Sequence, residues 1–420
     1  MLKKYVPKLL LSSASAVVAL IGAEVLLRYQ VTHNTENPFA HNPIIAAQMT
    51  EGTFFPDPQL GHRLVPPFAY SNGQHYDSEK TKVAKGENKI LPSSFISGEV
   101  RDIQTIDEVV VRVKERQSTN PVVLNIGDSS TSGWDSDQVT RNKLYKSVAR
   151  ESYIPLSPFF QYKTYSDILA AENMTVINAG VPGYTSYQGK YYVKRLLDEF
   201  HERGVSIDYI TIYFGNNESV WNGNIEDKYV LPSEDNLKLI GAIKRWQSAF
   251  LYPRVSAEEY EENIKEIIEA CQEYGVQPIL IEPVIPKYWY PGMRAKGEEA
   301  AVWQVMYENK GDEAIDKLNE AIHLYEEGVR MYQRAGSEDQ REQAKELFIA
   351  AQNQDYLVPR IKPVYVAALH RIATETKTPL VDIQGQIPLD DHPYFIDYCH
   401  PIEPANKLIA EGIAHEITYR

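Results

Sequence analysis

The chain has 420 residues, 43% hydrophobic and 24% charged, with a formal net charge of −14. This is ordinary globular composition with ample apolar content for a core, and its length fits two or three domains or one large α/β domain with insertions. The acidic balance, with no basic stripe, sets nucleic-acid binding aside.

At the N-terminus, Lys3, Lys4 and Lys8 precede an uncharged apolar run from Leu9 to Ala23, followed by Glu24, Val25, Leu26, Leu27 and Arg28. Residues 1–28 therefore read as a membrane anchor or a signal. Ala14-Ser15-Ala16 lies too early in the run for cleavage, and Ile21-Gly22-Ala23 begins with a bulky residue. An uncleaved single anchor is expected, its basic end in the cytoplasm and the rest of the chain extracytoplasmic, in the periplasm or at the cell surface. Residues 29–120 are loop-rich, punctuated by Pro38, Pro43, Pro56, Pro58, Pro66 and Pro67, with a polar turn-prone stretch at Ser71–Gly86. They read as a stalk and lead-in, and the β-branched run Val109–Val113 predicts one short strand.

A domain over 121–420 opens at Pro121. Short apolar runs at Val122–Ile126, Met174–Ala179, Tyr209–Phe214, Gln277–Val284 and Pro379–Ile383 alternate with helical stretches at Tyr187–Arg203, Ala257–Glu273, much of Glu298–Thr374, and Ala405–Ile417. Apolar strands alternating with helices predict an α/β fold: a five-stranded, mainly parallel sheet covered on both faces. Such sheets bind ligands outside the carboxyl ends of their strands, where Ser129, Gly183 and Asn217 fall. The charged helical stretch at about 297–370 is longer than a normal connection. Its Leu324, Gly328, Ala344, Phe348 and Ala351 are similar to one tetratricopeptide repeat. A single repeat cannot bury its own faces, so a helical hairpin capping the sheet is expected, with a docking surface for a protein partner as the alternative.

The two cysteines, Cys271 and Cys399, stand in no metal-binding spacing, and His62, His75, His201 and His370 show no ligand pattern. No metal and no cofactor is expected. Trp134, Trp221, Trp289 and Trp303 suit either a sugar-stacking role or packing.

Four strand-end blocks carry the chemistry. Gly127-Asp128-Ser129 places a serine on a sharp turn at a helix start, where backbone N–H groups face developing negative charge. The plainer reading is a polar loop capping a helix. In Asp397-Tyr398-Cys399-His400 a carboxylate can hold a histidine as a base; alone it equally fits an N-cap and a surface imidazole. Asn178-Ala179-Gly180-Val181-Pro182-Gly183-Tyr184-Thr185-Ser186 suits close backbone approach or a tight turn at its glycines, and Gly215-Asn216-Asn217-Glu218 offers a neutral amide donor or an Asn-rich turn.

In this order the blocks resemble the SGNH (GDSL) hydrolase family, with its flavodoxin-like three-layer α/β/α fold. The resemblance implies Ser129 as nucleophile, His400 as base and Asp397 as its orienting carboxylate. It further implies an oxyanion hole from the Ser129 and Gly183 N–H groups and the Asn217 amide. Two departures stand out: Glu218 replaces the usual Asp, and Ser130 directly follows Ser129. The implied activity is that of a serine esterase cleaving an O-acetyl or other short acyl ester on an extracytoplasmic glycan or lipid. An O-acyltransferase acting on envelope or secreted polysaccharide and a non-catalytic scaffold are the alternatives.

Overall fold

The computed structural model describes residues 20–26, 54–57, 61–64, 95–96, 106–116, 120–133, 163–219, 226–230, 253–286, 312–355, 360–388, 394–395 and 399–418. The chain divides into two compact units, residues 1–63 with 221–254, and residues 64–220 with 255–420. The first contains a two-stranded sheet, β1 (Phe54–Asp57) with β2 (Gly61–Leu64). Its buried Arg254 grips the Asp227 carboxylate through Nε (3.0 Å) and Nη2 (2.9 Å). A helical segment at 20–26 exposes Leu20, Ile21, Val25 and Leu26. Most of the expected anchor, residues 9–19 and 27, lies outside the described residues, as do the four tryptophans named above. Among the described residues no helix is long and apolar enough to cross a membrane.

The second unit is built on a six-stranded sheet in the order β3-β5-β4-β6-β7-β8. Its strands are β3 (Phe95–Ile96), β4 (Val122–Gly127), β5 (Thr175–Gly180), β6 (Tyr209–Tyr213), β7 (Gln277–Ile281) and β8 (Leu380–Val381). The five from β4 to β8 are parallel, as their apolar runs predict; the run at Gln277–Val284 leaves the sheet after Ile281 and that at Pro379–Ile383 pairs only through two residues. The short β3 adds an antiparallel edge against β5, a pairing not foreseen in the loop-rich lead-in. Among the parallel strands the order is that of doubly wound sheets, and it reverses between β4 and β6, where such sheets open a crevice.

Among the described residues, nine helices accompany this sheet: α1 (Ile106–Arg116), α2 (Ser129–Ser132), α3 (Tyr165–Ala170), α4 (Ser186–Glu202), α5 (Ala257–Glu273), α6 (Asp312–Arg334), α7 (Glu338–Gln354), α8 (Pro363–Thr376) and α9 (Glu403–Thr418). One face of the sheet offers Val123, Val176, Tyr213, Ile279, Ile281 and Val381 to a core shared with Leu169 of α3 and Ile409 and Ile413 of α9. Over the other face α5 packs between α4 and α8, its Tyr260 ring 5.4 Å from that of Tyr365. Ser256 and Glu259 form a capping box that starts α5, and Tyr260, Ile264, Ile267, Ile268 and Cys271 make its buried stripe at helical spacing.

The run Val109–Val113, expected as a strand, is helix α1. The buried residues are Ile106, Val109, Val110 and Val113, a helical period. Burying such side chains stabilises by about 1.5–3 kcal/mol each, more than the ~0.7 kcal/mol or less that a β-branched residue costs in a helix. In the charged insert, α6 and α7 pack against each other, turning at Ala335-Gly336-Ser337 and closing on Ala321, Ala344, Phe348 and Ala351.

Candidate active site

The strand register sets the site. Gly127, the last residue of β4, lies level with Gly180 of β5 on one side and Tyr213 of β6 on the other. The loops after these three strands therefore leave the sheet side by side. Close approach dictates the glycines here: a Cβ on Gly127 would stand 2.6 Å from the Tyr213 carbonyl, and one on Gly180 would stand 2.4 Å from the Ser132 nitrogen. Val181 N–H donates to the Gly127 carbonyl at 3.0 Å, tying the first two loops together.

Beyond Gly127 the chain turns into α2. Asp128 is its N-cap, accepting the Ser130 N–H at 2.8 Å, and Ser129 is its first residue. The Ser129 hydroxyl lies 2.7 Å from His400 Nε2 across 271 residues of sequence. Ser129 is 9% exposed and His400 3%. The histidine sits just before α9, next to Pro401, which bridges to Phe395. Ser130 Oγ reaches the Cys399 carbonyl at 3.4 Å and accepts from Asn216 Nδ2 at 3.4 Å, so the second serine is engaged away from the imidazole. Asp397 lies outside the described residues. Both cysteines are buried, and burial raises the Cys271 thiol to about 12.

The third loop supplies amides. Asn217 Nδ2 donates to the Tyr184 carbonyl at 3.0 Å and makes a longer 3.4 Å contact with Asp128 Oδ2. Glu218 answers for the missing Asp: it is fully buried, Oε2 accepting the Asn217 N–H at 3.1 Å and Oε1 accepting the Ser186 N–H at the start of α4 at 2.7 Å. A carboxylate at a helix N-terminus is well placed electrostatically. Asn216 accepts the Ile361 N–H at 3.1 Å. Gly183 is half-buried and has φ +79°, a left-handed conformation suited to glycine, whereas Gly180 is closed off by α2.

Asp128 is fully buried, and desolvation lifts its pKa to about 6 against the opposing pull of the Ser130 N–H, the His400 charge and the Asn216 and Ser130 side chains. Its part in joining α2 to the Asn217 loop, and those of Asn178 and Asn216, went unread in the sequence. Asn178 donates to the Thr131 carbonyl at 2.6 Å and accepts the Gly180 N–H at 3.0 Å, locking β5's end against α2. The only signal for Asn178 was its place at the head of the glycine block.

A doubly wound sheet that brings a serine hydroxyl and an imidazole together at its strand ends defines a hydrolase of the three-layer, flavodoxin-like class. Residues 123–413 match the GDSL-like lipase/acylhydrolase family, and the chain belongs to it; it is an enzyme of the esterase kind. No curated protein shows significant similarity to the sequence. Similar solved structures include a GDSL-like lipase from Bacteroides thetaiotaomicron, at 13% identity and TM-score 0.34, covering 74% of this chain and 96% of that one. An acetylxylan esterase from Geobacillus stearothermophilus is similar at 14% identity and TM-score 0.34, covering 72% and 96%. A psychrotrophic esterase from Pseudoalteromonas is similar at 12% identity and TM-score 0.30, covering 71% and 97%.

Proposed function

We propose that the chain is a serine esterase in which Ser129 attacks the ester carbonyl, His400 takes the serine proton, and Asp397 orients the imidazole. The 2.7 Å contact between Ser129 Oγ and His400 Nε2 carries this reading. Attack forms the Ser129–acyl bond as the alkoxide leaves, and His400 returns the proton to that leaving oxygen. Water, deprotonated by His400, then attacks the acyl carbon, and Ser129 Oγ leaves with that proton returned from His400 as the acid is released. The Ser129 N–H at the first turn of α2, the Gly183 N–H and the Asn217 amide stabilise the tetrahedral oxyanion. Asn217 is suited to this, since one N–H is committed to Tyr184 and the other is held only by the long Asp128 contact.

The substrate proposed is an O-acetyl or other short acyl ester on a glycan or lipid outside the cytoplasm. The N-terminal apolar run serves as the anchor. The test is labelling of the full-length chain with a fluorophosphonate, together with hydrolysis of a short aryl ester. Both are expected to be lost in Ser129→Ala and His400→Ala and kept in Ser130→Ala. Labelling that survives in Ser129→Ala would remove Ser129 as nucleophile. Turnover that depends on an added sugar hydroxyl would make the enzyme an O-acyltransferase.

A further inference from the structure

A second group of polar side chains stands at the carboxyl ends of β7 and β8, away from Ser129. The two strands are parallel neighbours with Leu280 opposite Leu380 and Ile281 opposite Val381. The ladder runs one bond further, Glu282 N–H donating to the Val381 carbonyl at 3.0 Å. That register sets Glu282 beside Asp382. Ile281, Val381 and Ile383 belong to the core shared with α3 and α9, so by strand alternation Glu282 and Asp382 turn to the opposite face. There α8 presents His370, its Nε2 2.6 Å from Glu282 Oε2. One ligand atom from each of Glu282, His370 and Asp382 lies within 4.8 Å of the other two.

Among the described residues the charges around this group do not balance. Glu282 is 5% exposed, and its carboxyl is pushed above the usual range by burial first, and also by the neighbouring Asp382, with the His370 bond opposing. Asp382 accepts the Gln384 N–H at 3.2 Å, and no lysine or arginine of the described residues pairs with either carboxylate. A buried anion beside a second anion, with an imidazole as its side-chain partner, is an arrangement that a cation relieves. The other side is open, since Asp382 is exposed and the His370 side chain is 46% exposed, leaving room for water ligands.

We propose that Glu282, His370 and Asp382 form a divalent transition-metal site, of which Zn2+ is the representative ion. One imidazole nitrogen with two carboxylate oxygens is a donor set for such ions, and the imidazole disfavours Mg2+ and Ca2+. Binding replaces the hydrogen bond between His370 and Glu282: the ion takes the Nε2 lone pair, and the ring proton resides on Nδ1. The ion would cross-tie the ends of β7 and β8 to α8. Spacing in the sequence could not disclose the site, because 88 residues separate Glu282 from His370 and only the sheet register brings them together.

The test is calorimetric titration of Zn2+ into the metal-stripped full-length chain, with His370→Ala and Asp382→Asn alongside and circular dichroism to establish that each is folded. Wild type is expected to bind one equivalent more tightly than either variant, by about tenfold or more, and to gain thermal stability that Mg2+ does not confer. Equal Zn2+ stoichiometry and affinity in wild type and folded Asp382→Asn would overturn the proposal, as would equal stabilisation by Mg2+. The readout is binding, so it stands apart from the outcome of the esterase test.

Discussion

The Asp128 carboxylate caps α2 through the Ser130 N–H, faces the Asn217 amide and is fully buried, with a pKa of about 6. The fold therefore keeps a proton on it that the unfolded chain releases near pH 4. Between those values the folded state binds more protons, so stability present at the acid end is lost as pH rises through the window. Two pH units correspond to roughly 3 kcal/mol. Urea unfolding of wild type and Asp128→Asn at pH 4 and pH 7 is expected to show wild type losing about that much relative to the variant. At Asn217 the expectation is kinetic: Asn217→Ala should lower kcat by about 10²–10³ with KM little changed, read from steady-state ester hydrolysis. Ser129 and His400, whose side chains the fold brings to 2.7 Å, were legible as residues by their blocks, as were Gly183 and Asn217, whose oxyanion role is proposed. The support beneath them was not: Glu218 looked like a departure, yet it bridges the Asn217 N–H and the start of α4, a link that exists only once two distant segments meet.

The helical hairpin of α6 and α7 turns on one close contact. A Cβ on Gly328 would lie 2.8 Å from the Phe348 ring and 3.2 Å from the Ala344 carbonyl, so Gly328→Val should force the helices apart. A loss of about 1–3 kcal/mol is expected, measured as a lowered thermal midpoint. Where α7 ends, Asp355 pairs with Arg360 at 3.0 Å, both side chains fully buried. Asp355→Ala leaves that guanidinium without its carboxylate and should cost about 3–5 kcal/mol in chemical denaturation. Strands and long helices were readable because their apolar spacing is local. Val109–Val113 was misread because β-branched content is a property of the residues, while the face they bury is chosen by the partner they pack against.

For the whole molecule, the uncharged run from Leu9 to Ala23 carries the proposed location. The full-length chain should stay with membranes after an alkaline carbonate wash, and externally added protease should reach residues 121–420 in spheroplasts; recovery in the soluble fraction would remove the anchor. The alternation of apolar runs with amphipathic stretches was enough to determine a parallel sheet clothed by helices, since strand and helix periods are written residue by residue. The order of blocks was enough to suggest which side chains the strand ends carry. Which ends stand side by side was decided by the tertiary structure. The β4 register against β5 and β6 brings the Ser129, Gly183 and Asn217 loops together, and the return of the chain before α9 delivers His400 from 271 residues away. The same holds for Glu282, Asp382 and His370. Strand order and helix placement follow from burying both sheet faces at once, a condition on the entire chain that no local stretch of sequence expresses.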